Sequence, residues 1–276
     1  MGIQYGNLTL HGVQQEELVN YLSEVGLDAY VSPNINNFVT IYDKAASGLN
    51  REDITLLSKL EPKFKAILNQ YRYGSYAALV CLANHLSKVF SCSALAVHVY
   101  DGNFIWYHLC QNGEMLDEYT TCGSDKWEPG KPISSFPSLR QIKGGNASKL
   151  CKAFAQETVI EQVDIILRKP EGRSDETSLL NLPLNEALLR IEKYSSPTIR
   201  HEALARVLGI CPGFVVGLNY VAVDTGELAE MWEDFCDDEE DNFLTASEVE
   251  VMLRKTTPKF SKSKKFLETL LSRFFS

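Results

Sequence analysis

Apolar positions along the first 125 residues follow two periods, and the period identifies the element. Asn7-Leu8-Thr9-Leu10-His11 alternates as a strand does. Val13 to Val25 repeats at helical spacing, with Leu18, Val19, Leu22 and Val25 on one face, and Gly26 is placed to cap it. Ala29-Tyr30-Val31 and Phe38-Val39-Thr40-Ile41-Tyr42 read as two further strands, joined by a turn holding Pro33, Asn34, Asn36 and Asn37. Asp53 to Tyr71 reads as helix broken at Pro62, and Ser75 to Phe90 as a second, apolar helix.

The strongest pattern covers residues 93–121. Leu95 to Tyr100, Phe104 to Cys110 and Met115 to Thr121 are separated by Asp101-Gly102 and Asn112-Gly113, dipeptides that supply the positive φ of tight hairpins. This predicts a three-stranded antiparallel meander with Trp106 mostly buried. With a two-residue turn at each dipeptide, Leu95, Val97, Val99, Phe104, Trp106 and Tyr119 share one face. His98, Tyr100, Ile105, Tyr107, Leu109 and Leu116 share the other. Both faces are apolar enough to require cover.

The pattern then changes. Residues 123–145 read as a loop rich in Gly, Pro and Ser. Asn146 to Ala155, Val159 to Lys169, Asn185 to Tyr194 and Thr198 to Leu208 read as helices, and Phe214 to Val223 as a strand returning to the sheet. The expected fold class is α+β, an antiparallel or mixed sheet of about six strands with packed helices and a helical second half. The expected organisation is a sheet region over 1–125, a loop over 126–145, a mainly helical region over 146–223 and a charged segment over 224–276. Residues 1–223 are expected to form one compact unit.

A set of short stretches resembles a family of uncharacterised bacterial α+β proteins. They include Leu10-His11-Gly12-Val13, Tyr30-Val31-Ser32-Pro33, Ala94-Leu95-Ala96-Val97, Asn112-Gly113-Glu114, Gly144-Gly145-Asn146-Ala147-Ser148-Lys149-Leu150-Cys151, Arg200-His201 and Gly217-Leu218-Asn219-Tyr220. The resemblance covers roughly residues 8–228. It implies an α+β fold and no activity, because none is known for the family. Ala45 to Arg72 and the tail after Leu228 fall outside it.

Charge narrows the function classes. The 276 residues carry 27 Lys and Arg against 36 Asp and Glu, a net charge of −9. Such a chain repels phosphate backbones, so nucleic acid is not an expected partner. The absence of a long apolar run or a signal-like start, with seven widely spaced cysteines and no CxxC pair, predicts a cytoplasmic protein with reduced thiols. Val221 to Glu250 holds twelve acidic and no basic residues, whereas Val251 to Ser276 holds seven basic residues and one Glu.

Four local patterns invite chemistry. A twelve-residue loop from Asp237 places Glu239, Asp241 and Glu248 at calcium-ligand positions, but Asn242 stands where the sharp turn wants Gly. Thr245-Ala246-Ser247-Glu248 reads instead as a capping box, so no metal is expected. His201-Glu202 lacks the second His of a zinc helix, because position 205 is Ala, and His201 reads as a surface or cap residue. Gly144-Gly145-Asn146 reads as a helix entry capped by Asn146 rather than a phosphate loop, and no cofactor is expected. His98 and His108 should face opposite sides of the meander, while Asp117 should stand across from His108 with Cys110 nearby, the outline of a nucleophilic site.

The tail adds Phe266, Leu267, Leu270, Leu271, Phe274 and Phe275 as one apolar helical stripe, preceded by Lys259, Lys262, Lys264 and Lys265. The expected function is therefore a non-catalytic intracellular protein-binding or regulatory protein. Its partner is another protein or a second copy. The alternatives are an enzyme built on His108, Asp117 and Cys110, and a peripheral protein whose basic tail meets a membrane surface.

Overall fold

A computed structural model describes residues 4–48, 51–70, 74–100, 103–123, 128, 141–170, 186, 190, 194, 196–226 and 252–257. Among them, eight strands form one antiparallel sheet: β1 (Tyr5–His11), β2 (Ala29–Val31), β3 (Phe38–Asp43), β4 (Ser93–Tyr100), β5 (Phe104–Gln111), β6 (Glu114–Gly123), β7 (Gln141–Gly144) and β8 (Arg254–Lys255). Their order is β7-β6-β5-β4-β1-β3-β2-β8. The α+β class follows, with a sheet broader than the expected six strands.

Local chemistry sets the boundaries. Helix α1 (Gln15–Val25) ends because Gly26 takes φ 83°, and its N–H reaches the Leu22 and Ser23 carbonyls. Asn36 and Asn37 adopt positive φ between β2 and β3. After α2 (Lys44–Ser47), Pro62 divides the next helical stretch into α3 (Arg51–Leu60) and α4 (Phe64–Gln70).

Both sheet faces are covered. Helix α5 (Gly74–Val89) is buried from Tyr76 to Ser87 and packs with Leu8, Leu10, Ala94, Ala96, Trp106 and Cys110. On the opposite face, α6 (Ala147–Ala153), α7 (Ile160–Arg168) and α8 (Pro197–Val207) pack on Leu95, Val97, Ile105, Tyr107, Leu109 and Tyr119. Trp106 is 1% exposed, as its position predicted.

Several sequence expectations are corrected. Phe214 to Val223 is not a strand: Pro212–Phe214 form a 3-10 turn, Gly217 takes φ 76°, and Asn219 caps a short helix, α9 (Tyr220–Asp224), by accepting from Ala222 N. Its β-like composition reflects burial around Tyr42 instead of pairing. The end of the 123–145 loop pairs with β6 as β7. His201 is buried, not on the surface. The Tyr5 hydroxyl lies 2.9 Å from its Nδ1, and burial lowers its pKa to about 3. Beside it, Arg200 donates to the Ile166 and Lys169 carbonyls at 2.6 Å each, closing the end of α7.

Candidate functional site

The meander forms as predicted, but its register differs from a two-residue hairpin at each turn. Asn112 and Gly113 take φ 53° and 84°, and Gln111 pairs with Glu114. Tyr100 pairs with Phe104, so three residues separate the first paired positions instead of two; Asp101 and Gly102 themselves lie outside the described residues. A bulge between Leu109 and Cys110 shifts β6 by one more residue. Each slip reverses the faces. Phe104 and Trp106 therefore stand on the α5 face with His98, not with Leu95, and Ile105, Tyr107 and Leu109 stand on the other. His98 and His108 share a face, contrary to expectation.

The same bulge replaces the expected acid. His108 pairs with Glu118, and Asp117 pairs with Leu109. Asp117 points to the opposite face, where it accepts from the Tyr107 hydroxyl at 2.6 Å and from Asn146 N at 2.7 Å, fixing the start of α6. His108 Nδ1 lies 3.3 Å from Glu118 Oε1, which also accepts from Trp106 Nε1 at 2.9 Å. Asn84 from α5 lies 3.4 Å from His108 Nε2. Burial would lower the His108 pKa, but Cys110 and Glu118 outweigh it and raise the pKa to about 10.

This cluster is sealed. His108 is 2% exposed, and Cys110 and Glu118 are fully buried. His98 beside it is equally enclosed, packed on Tyr76 with ring centres 4.4 Å apart, and burial lowers its pKa to about 3. The thiols of Cys81 and Cys92 are pushed up to about 12 by burial, the chemistry of core cysteines. Cys81, Cys92, Cys110, Cys122, Cys151 and Cys211 are all buried.

A second His–Glu pair, with no local signature in the sequence, lies where α1 meets the end of α5. His85 Nδ1 is 3.1 Å from Glu61 Oε1, and the Tyr21 hydroxyl is 2.6 Å from His85 Nε2. Glu61 can only accept when ionised, so His85 Nδ1 is the donor of that bond, and the other ring nitrogen meets the Tyr21 hydroxyl. Burial opposes ionisation of Glu61, yet the His85 and Lys63 hydrogen bonds and the Lys88 charge hold its pKa below the ordinary value. Burial, with Glu61 and Glu24, raises the Tyr21 pKa, so the phenol keeps its proton.

Tyr21 lines an open cleft of about 460 Å³, with Val13, Glu17, Asn20, Glu24 and Phe90 among its walls. Positions 17, 20, 21 and 24 recur at helical spacing and make one face of α1, with Val13 just before the helix. Opposite them, α5 ends at Val89, where its carbonyls place partial negative charge. Glu17 and Glu24 are exposed and, among the described residues, form no ion pair.

The calcium candidates Asp237, Glu239, Asp241 and Glu248 lie outside the described residues, as do the tail residues Phe266, Leu267, Leu270, Leu271, Phe274 and Phe275. Among the described residues, no group of three His, Cys, Asp or Glu is placed to hold a metal ion, and no helix is long and apolar enough to cross a membrane. No protein-family model, curated protein or solved structure matches this chain.

Proposed function

We propose that this chain is a non-catalytic protein-binding protein whose α1–α5 cleft receives a basic segment of its partner. The observation that carries this reading is the composition of the cleft. Two carboxylates without ion-pair partners among the described residues, Glu17 and Glu24, face the carboxyl end of α5 beside the Tyr21 and Phe90 rings. A Lys or Arg side chain gains from all three: opposite charge, helix-end carbonyls and an aromatic face. The Glu61–His85 pair fixes the Tyr21 hydroxyl, so one wall of the cleft is pre-ordered before a ligand arrives.

His108, Cys110 and Glu118 are buried between the sheet and α5, which supports the cleft over the meander as the functional surface. Calorimetric titration with a dodecapeptide rich in Lys and Phe tests the proposal. The expected result is salt-sensitive binding, weakened roughly tenfold by Glu17→Gln with Glu24→Gln, a charge contribution of about 1.4 kcal/mol. Binding unaffected by the double substitution, or no binding at low salt, defeats it.

A further inference from the structure

The segment Met252–Thr257 lies on the free edge of β2, and its contacts are those of a peptide held by a receptor. Its backbone continues the sheet: Lys255 pairs with Tyr30 and Arg254 with Val31, and Thr256 N donates to Ala29 O at 2.9 Å. Gln15 Nε2, at the start of α1, donates both to Val31 O at 3.0 Å and to Met252 O at 2.7 Å, clamping the segment to the strand.

Three side chains are read individually. The Thr256 hydroxyl donates to Leu27 O at 2.7 Å and accepts from Ala29 N at 2.9 Å, a double role that a hydroxyl can fill and a methyl cannot. Thr256 is 3% exposed. Lys255 Nζ lies 4.8 Å from the Tyr30 ring centre and 5.5 Å from that of Tyr220, and donates to Asp224 Oδ1 at 2.8 Å. The Tyr30 hydroxyl donates to the same carboxylate oxygen at 2.6 Å, tying that wall of the lysine box to the acid, while the Tyr220 hydroxyl donates to Asp28 Oδ1 at 3.0 Å. Leu253 packs on the cluster around Tyr42, Phe214 and Leu218.

We infer that the β2 edge is a recognition groove for an extended Leu-x-Lys-Thr segment of a partner protein, and that Leu253-Arg254-Lys255-Thr256 is its displaceable internal occupant. This site is separate from the α1–α5 cleft and does not depend on it. Strand addition supplies affinity through the main chain and specificity through alternate side-chain pockets, and both are present here. The ladder itself is only two residues long, Met252 is 40% exposed, and the Lys255 and Asp224 side chains are 46% and 44% exposed, so the outward-facing part of the occupant adds little to its hold. A second copy offers the same segment without the advantage of the tether, so it cannot compete. A partner segment with better contacts at the exposed positions 252 and 254 can.

Fluorescence anisotropy with a labelled nonapeptide of the sequence of residues 250–258 tests the inference on the full-length chain. The expected result is binding at least tenfold tighter to the Lys255→Ala, Thr256→Val double variant than to the unaltered chain. A peptide carrying the same two changes should lose that binding. Equal binding to both chains, or no discrimination between the peptides, overturns the inference. Amide hydrogen exchange on the unaltered chain gives a readout that needs no variant. The Thr256 amide is expected to exchange at least a hundredfold faster than those of Leu8 and Ala96 in the central strands. Exchange at the same rate as those strands would make the segment a fixed part of the fold and overturn displacement.

Discussion

His108–Glu118 and His85–Glu61 use the same two side chains at nearly the same separation, 3.3 and 3.1 Å. Their surroundings differ. Glu118 sits under α5 with the Trp106 indole on the same oxygen, whereas Glu61 also meets Lys63 and Lys88, whose side chains are half or more exposed. The sealed pair is a device for burying a carboxylate in the middle of a sheet: the charge is neutralised and hydrogen-bonded in place. The second pair holds a tyrosine at the wall of an open cleft. The chemistry of a pair thus says little about its role until access is known.

The largest effect that sharpens this comparison is on stability. Glu118→Ala should cost about 3–5 kcal/mol in a denaturant titration, because it strips a buried pair of one partner. A loss under about 1 kcal/mol would show that water reaches the site. Acid comes next. His98 and His201 stay neutral in the fold down to about pH 3. Below pH 6.5 the unfolded chain binds protons that the folded chain refuses, so stability falls from pH 6.5 toward 3. Each histidine contributes about 1.4 kcal/mol per pH unit, and His98→Gln should remove one such contribution. His108 has the opposite sign. Its raised pKa stabilises the fold fully below pH 6.5, and that contribution is lost as pH rises toward about 10. At the His85–Glu61 pair, where half-exposed lysines also meet the acid, Glu61→Gln should cost less than about 1.5 kcal/mol, the scale of a single hydrogen bond. A cost equal to that of Glu118→Ala would erase the distinction.

Much of the sheet was legible because strands and turns announce themselves locally. The period-two runs, Asn112-Gly113, Gly26 and Pro62 each fix a boundary through short-range sterics. Register was legible only modulo one residue. The three-residue connection from Tyr100 to Phe104 and the bulge at Leu109/Cys110 each insert a position that composition does not mark, and these two slips moved Trp106 to the other face and exchanged Asp117 for Glu118. The cleft was not legible at all. Tyr21, Glu61 and His85 come from separate parts of the chain, and no spacing rule joins them. The Phe214 to Val223 stretch misled because a buried irregular segment and a strand share the same apolar composition.

The claim that most needs testing is that the His85–Glu61 pair, through Tyr21, and not the His108–Glu118 pair, supports the functional surface. The most direct measurement is a side-chain and amide NMR titration of the labelled full-length chain with the Lys- and Phe-rich dodecapeptide. Shifts are expected at Glu17, Tyr21, Glu24, His85 and Phe90, with Trp106 and His108 unmoved. Shifts at Trp106 and His108 with a silent α1–α5 cleft would contradict it.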